Sequence, residues 1–419
     1  MKRVKGLAHL IHDTVEKVTD LVEETHQAAA AKTTRMLGPL PAVGEVARAV
    51  HAMQRPIAGG VYESIRLTNR LVQGVLELGL RVVPKELDAG PTDPWLDLTQ
   101  ASLNAAFGDF LEARGNPLAI PMSVMHRGEP LPLERASLER AWPDATERLC
   151  VFVHGLGCTE REWRWGAAET WGDRDTCYGS LLARDLGFTP VYVRYNTGLH
   201  ISDNGQRLAA LLDDLLAANP CEVKQLVLVG HSMGGLVSRS AVHYGHRAGR
   251  RWIDPLTHVF CLGSPHHGAP LERASNMLAS VLSWFDTAAT QVPAKLLRAR
   301  SAGIKDLRFG NIVEEDWRDH DPDGLDDHRT DACMVESVAY YFISGCITSS
   351  PEHPLGELLG DVLVSLPSAA GHHHQPLRRI PFHGGETLAG VHHMALVNHP
   401  RVYETLRRAL DEEQRDVAE

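Results

Sequence analysis

Little in this chain would place it in a membrane or on a nucleic acid. No apolar run approaches the roughly 20 residues that span a bilayer. Basic residues are outnumbered, 42 Lys and Arg against 53 Asp and Glu, and the formal net charge is −11. Nothing global therefore draws the chain to nucleic acid, and the acidity reads as a matter of solubility. Cysteine is sparse: Cys150, Cys158, Cys177, Cys221, Cys261, Cys333 and Cys346 are scattered, and no two form a CxxC pair. Zinc and redox motifs are thus absent, and an odd, dispersed set fits reduced thiols in a cytoplasm, with one disulfide in an exported protein as the alternative. Lys2, Arg3 and Lys5 are not followed by an apolar core, because His12, Asp13, Glu16 and Lys17 interrupt it. A cleaved leader is not expected there. What remains is a globular composition, 43 % apolar and 23 % charged, over 419 residues. That length suits one large α/β domain with an extra segment, or two ordinary domains.

The apolar pattern changes along the chain. Val4, Leu7, Ile11, Val15, Val18 and Val22 recur at three- and four-residue steps and predict a helix, which Gly38, Pro39 and Pro41 end. A second helical stretch is expected over 45–80, so residues 1–88 read as an N-terminal helical extension. Residues 89–115 read as the end of a Pro- and Asp-rich linker followed by a short helix over 96–111. Beyond 116 short branched runs alternate with helical ones. Strands are expected over 118–126, 149–154, 190–195, 225–230, 258–263, 338–345 and 377–382, and helices over 203–218, 233–244 and 394–410. Alternation of this kind predicts an α/β fold with a doubly wound, mostly parallel sheet over 116–419. The nearly continuous apolar run 225–230 fits a central strand covered on both faces. Residues 271–335 interrupt the alternation and read as an insertion above the sheet. Its first part is amphipathic (Met277, Leu278, Val281, Leu282, Trp284, Phe285), and its acidic part, Glu314 to Asp327, reads as solvated surface.

One motif carries chemistry. Gly230-His231-Ser232-Met233-Gly234 matches G-x-S-x-G and lies between an expected strand and an expected helix. A serine on so sharp a turn needs small flanking residues, and the turn holds its hydroxyl out at the carboxyl end of the sheet. The helix that starts behind it favours developing negative charge. A serine hydroxyl needs a base, and the base needs an orienting carboxylate. Where a serine sits on such a strand-to-helix turn, its partners are expected in the order Ser, acid, His. Asp361, in the loop after strand 338–345, is the expected acid, with Glu357 the runner-up. His393, after the last strand and before the last helix, is the expected base, with His392 the runner-up. The oxyanion hole calls for two backbone N–H groups. Met233 supplies one. Leu156, in the loop His154-Gly155-Leu156-Gly157 after strand 149–154, supplies the other.

These segments, in this order, resemble a known group. His154-Gly155-Leu156-Gly157, Tyr195-Asn196-Thr197-Gly198, the Ser232 turn and Gly263-Ser264-Pro265-His266-His267-Gly268 look like bacterial lipases and esterases and, more broadly, the GPI inositol-deacylase-like hydrolases. The resemblance covers roughly residues 116–410. It implies an α/β-hydrolase fold and an esterase or lipase acting on lipid-like or acyl esters without a cofactor. The family places its acid in a G-D-G-x-V segment, which Gly360-Asp361-Val362-Leu363-Val364 fits except at Val362. It places its base in an H-x-x-L segment, which His393 to Leu396 fits. By the same resemblance the insertion is expected to act as a lid shielding an acyl chain.

Other features weigh less. The tract His372-His373-His374 suits a solvent-exposed loop better than a metal site. His266 and His267 are read as structural rather than substrate-touching. Trp163-Arg164-Trp165 either lines a pocket or packs. Residues 1–88 admit a peripheral contact with a membrane or lipid surface, steered by Lys2, Arg3 and Lys5, or helices that pack on the hydrolase or form a homodimer. Two rival functions stand beside ester hydrolysis. An acyltransferase would use the same triad, and a non-catalytic interaction protein would keep only the fold.

Overall fold

A computed structural model describes residues 94–268, 301–321, 326–350, 360–361 and 363–418. The helices expected within 1–88, the amphipathic part of the insertion and Glu357 lie outside the described residues. The described residues all fall in one unit, Pro91–Trp284 with Ser301–Glu419. Its strands are β1 (Ser123–His126), β2 (Glu129–Pro130), β3 (Arg148–Val153), β4 (Thr189–Arg194), β5 (Gln225–His231), β6 (Leu256–Leu262), β7 (Ala339–Cys346) and β8 (Gly384–Ala389). They form one sheet in the order β2-β1-β4-β3-β5-β6-β7-β8. The hairpin β1–β2 and the pair β1–β4 are antiparallel, and every pairing from β4 through β8 is parallel.

Crossover connections put helices on both faces of the parallel part. The helices are α1 (Pro94–Ala113), α2 (Arg135–Ala141), α3 (Ala167–Trp171), α4 (Tyr178–Leu186), α5 (Ile201–Ala218), α6 (Met233–Arg247), α7 (Ala302–Asp306), α8 (Leu366–Ala369) and α9 (Pro400–Ala418). Alternate residues of each central strand enter opposite cores, as a period of two requires. Leu149, Val151 and Val153 of β3 and Leu226 and Leu228 of β5 meet Leu208 and Leu212 of α5 and Leu236 and Val237 of α6. Cys150, Phe152, Val227 and Val229 meet Leu181 and Leu182 of α4 and Val402 and Leu406 of α9. Both faces of β5 are dry, which is why its sequence is apolar without alternation. Its carboxyl end is thereby fixed at the middle of the sheet edge.

Several elements differ from the sequence reading. The strand expected over 377–382 is absent: Pro376–Arg378 is a 3₁₀ turn, and β8 begins at Gly384. The glycines there hid the strand, and packing explains them. A Cβ at Gly384 would lie 2.7 Å from the Tyr341 ring, and one at Gly385 2.2 Å from the Phe342 ring. The helix expected over 394–410 is broken, because Pro400 disfavours helical backbone at His399. A 3₁₀ turn, His393–Val397, precedes α9. Of 118–126 only β1 is strand. Helix α1 is kinked at Phe107 (φ −141°, ψ 18°). The acidic run is not simply solvated surface. Asp316 is buried, one of its oxygens accepts Ile312 N and Val313 N, and the other accepts Thr330 N. Asp327 accepts from both Arg329 and Arg378. No helix among the described residues is long and apolar enough to cross a membrane.

Candidate active site

The turn between β5 and α6 is built by steric exclusion. Ser232 has φ 53° and ψ −121°, and Arg127 is the other non-glycine residue with positive φ among the described residues. Such a backbone is strained by about 1–3 kcal/mol and persists only where its surroundings impose it. Here they do. A Cβ at Gly230 would lie 2.4 Å from the Gly234 backbone, and one at Gly234 would lie 2.1 Å from Val153 O. Ser232 N donates to Leu262 O at 2.8 Å, which ties the turn to the end of β6. The Ser232 hydroxyl is buried and has no hydrogen-bond partner among the described residues.

The loops after β7 and β8 converge on the same edge. His393 Nδ1 lies 2.7 Å from Asp361 Oδ2, with both side chains at least 97 % buried. The other oxygen of Asp361 accepts Leu363 N at 3.0 Å and Val364 N at 2.8 Å, so the carboxylate is fully used. Its main-chain oxygen accepts His393 N at 3.1 Å. The His393 ring abuts Gly263, where a Cβ would lie 3.1 Å from both Cε1 and Nδ1, and Gly263 directly follows the residue that bonds Ser232 N. His393 also stands 4.7 Å, ring to ring, from His231, the residue before the serine. His392, the runner-up, is exposed.

The loop after β3 reaches this edge too. His154 is buried and held as a neutral ring. Its Nδ1 donates to Gly155 O at 2.9 Å, and its Nε2 accepts Tyr195 N at 3.3 Å. Burial lowers its pKa, which agrees with that tautomer. Gly155 N donates to Glu162, Gly157 N to Thr197 Oγ1 and Cys158 N to Gly155 O. Leu156 N is left without a partner among the described residues, and Met233 N, at the first position of α6, has no acceptor within its helix. A Cβ at Gly155 would lie 3.2 Å from Ser232 Cβ, which shows how closely loop and turn approach.

The remaining sequence candidates fall elsewhere. His266 is buried with Nδ1 3.1 Å from Arg239 Nη1, and His267 Nδ1 accepts from Arg329 Nη1 at 3.0 Å. Trp163 packs edge-on to Phe152, whereas Trp165 is 46 % exposed. In the tract 372–374 the two outer histidines are exposed, and among the described residues no group of histidines, cysteines and acids is placed to hold a metal ion. Sequence reasoning missed Glu162. In Thr159-Glu160-Arg161-Glu162 it looks like one charge on a polar turn, and only the fold shows its carboxylate buried against the site.

Strand order, the turn at the end of the fifth strand and the placement of the loops around it define this fold as that of the α/β hydrolases. Within it, residues 144–321 match the family model of the PGAP1-like alpha/beta domain, a span that holds Leu156 and Ser232 but neither Asp361 nor His393. No curated protein matches the chain. Among solved structures, a lipase-esterase related protein from Clostridium acetobutylicum is similar at 12 % identity and TM-score 0.35, covering 63 % of this chain and 95 % of that one. A thermophilic esterase from Thermogutta terrifontis stands at 14 % and 0.36, covering 64 % and 91 %. The Pyrococcus furiosus esterase Pf2001 stands at 13 % and 0.37, covering 64 % and 82 %. At these identities and scores the fold assignment rests on the sheet and the turn.

Proposed function

We propose that the chain is a serine hydrolase that cleaves carboxylic esters through an acyl-enzyme on Ser232. The observation that carries this reading is the buried Asp361–His393 pair, 2.7 Å apart, set against Gly263 beside a strained serine turn. In the proposed reaction Ser232 Oγ attacks the ester carbonyl carbon as His393 Nε2 takes the hydroxyl proton. Asp361 accepts the Nδ1 proton in a hydrogen bond, fixes the tautomer and stabilises the imidazolium. The amides of Leu156 and Met233 receive the developing oxyanion, and the start of α6 adds its dipole. Collapse breaks the bond to the alcohol, which leaves with the proton from His393. Water then attacks the acyl-enzyme, gives its proton to His393 Nε2 and releases the acid.

The test is Ser232→Ala with p-nitrophenyl esters of graded chain length and a fluorophosphonate probe. The variant should fold, lose turnover and lose labelling. Turnover that survives the substitution would refute the assignment. The graded series also reports on the lipid-like substrate that the sequence resemblance implies.

A further inference from the structure

Glu162 lies in the 3₁₀ turn Glu160–Arg164 that follows the oxyanion loop, and its side chain is 97 % buried. A buried carboxylate is costly unless it is hydrogen-bonded or paired. The partners of this one all belong to the site. Its Oε1 accepts Gly155 N at 2.9 Å and stands 3.4 Å from His231 Nδ1. No lysine or arginine is paired with it among the described residues. Burial pushes its pKa up, but the facing His231 ring above all, with the Cys158 thiol, outweighs that and holds it below the ordinary glutamate value.

The second partner leads to the base. His231 is 1 % exposed, and its Nε2 lies 3.3 Å from His393 O. Of the two oxygens the ring faces, His393 O is placed to accept from Nε2, whereas Nδ1 makes no hydrogen bond among the described residues and meets Glu162 Oε1 as a charge contact that is attractive when the ring is protonated. The ring fits between them as a strut from Glu162 to the main chain of His393. The first partner leads to the oxyanion loop: the bond to Gly155 N fixes the His154–Gly155 peptide, one unit before the peptide that carries the Leu156 amide. One carboxylate oxygen therefore touches the supports of both the proposed oxyanion donor and the proposed base. The turn that carries it is itself braced, with Glu162 N donating to Thr159 O at 3.0 Å and Trp165 N to Glu162 O at 2.8 Å. The Trp163 ring stands edge-on to His231, 6.4 Å away, and closes the far side.

From this arrangement we infer that Glu162 is a positioning residue that holds the Leu156 amide and the His393 imidazole in register with Ser232, acting through Gly155 and His231. The inference rests on the serine-hydrolase reading above. Groups held this way matter in the transition state more than in substrate binding, so kcat bears the loss and KM does not.

The experiment compares Glu162→Ala, Glu162→Gln and Glu162→Asp in the full chain. Each kcat is counted per site titrated with a fluorophosphonate, so that misfolded protein does not enter. Glu162→Ala removes the acceptor and should lower kcat about 100-fold, with KM within about twofold, the scale of a misplaced catalytic group. Glu162→Gln keeps an oxygen for Gly155 N and a polar neighbour for the His231 ring and should stay within about tenfold of wild type. Glu162→Asp keeps the charge but draws the oxygen back by about 1.5 Å and should fall below the glutamine variant. Glu160→Gln is the control on the same turn. Glu160 pairs with Arg194 instead, so that variant should lose titratable protein and keep its kcat. Wild-type kcat per titrated site in Glu162→Ala, or in Glu162→Asp should the alanine variant not fold, overturns the inference, and so does a loss confined to the number of sites. A wild-type chain that neither labels nor turns over overturns the serine-hydrolase reading itself and this inference with it.

Discussion

Gly263 offers a sharp test of the proposed base, because its side chain is missing where His393 needs room. The residue follows β6 with φ +58°, and its N–H donates to Ile343 O at 2.8 Å. A methyl group there would sit 2.9 Å from Leu396 Cδ1 and 3.1 Å from His393 Cε1 and Nδ1. Leu396 can turn its methyl aside. His393 cannot move freely, since Asp361 Oδ2 holds Nδ1 at 2.7 Å. In Gly263→Ala the ring must tilt by a few tenths of an ångström or stretch that bond. Two costs add. The left-handed backbone costs alanine about 1–2 kcal/mol, and overpacking at a rigid neighbour costs about 1–3 kcal/mol. Gly249→Ala separates them. Gly249 has φ +61° and nothing within 4 Å of a built Cβ, so that variant bears the backbone cost alone.

Urea unfolding should place Gly263→Ala about 2–5 kcal/mol below wild type and Gly249→Ala about 1–2 kcal/mol below it. Ester turnover per fluorophosphonate-titrated site should fall at least about tenfold in Gly263→Ala, since a displaced general base loses much of its contribution. Gly249→Ala should turn over as wild type does. If the two variants lose equal stability and both keep full turnover, the imidazole at residue 393 is not the group that matters.

Three further outcomes follow from the same geometry. In Asp361→Asn the amide oxygen must face Leu363 N and Val364 N, which turns the NH₂ toward His393 Nδ1 and enforces the wrong tautomer; kcat should fall about 10⁴-fold, and a loss under tenfold would contradict the assigned role. In Tyr178→Phe the hydroxyl that donates to Leu396 O at 2.8 Å and accepts His399 N at 2.7 Å is lost; two buried main-chain groups lose their partner, and an unchanged urea midpoint would rule out the expected cost of about 1–3 kcal/mol. His258 is 4 % exposed, and burial lowers its pKa to about 4. The folded state binds that proton more weakly than the unfolded chain, so the stability it confers is complete above pH 6.5 and declines as pH falls toward 4, by up to about 3 kcal/mol. His258→Phe should flatten the acid limb of a stability curve between pH 6.5 and 4 without abolishing it, because burial also lowers His267 to about 4; an unaltered limb would show that His258 is not the source.

What could be read from the sequence was what a short stretch of chain decides by itself. The run Leu226 to Val229 is apolar throughout because each face of β5 meets a different core, and that pattern needs no distant information. The Ser232 turn was legible for a similar reason: Gly230 and Gly234 are required by backbone atoms a few residues away or on the adjoining strand. Asp361 and His393 were expected from their places after two strands and from the family resemblance, and their meeting at 2.7 Å is information the fold supplies. The glycines at the start of β8 pointed the wrong way, since they answer to rings on β7 rather than to a turn.

Charge that is buried or half-buried was the least legible feature, and for a definite reason. Asp97 meets Arg194 across 97 positions, Arg378 meets Asp327 across 51, and Glu162 meets His231 across 69. The acids among them, Asp97, Asp327 and Glu162, sit in local composition that reads as solvated surface. Whether such an acid is buried depends on a partner that the local pattern cannot name. A polar residue beside an active site is therefore hidden twice, once because burial is long-range and once because its effect passes through other residues. In the Glu160–Arg164 turn one acid pairs with an arginine of the neighbouring strand and the other faces the site, and no local pattern separates them. The difference lies in which of the two variants, Glu160→Gln or Glu162→Ala, lowers kcat per titrated site.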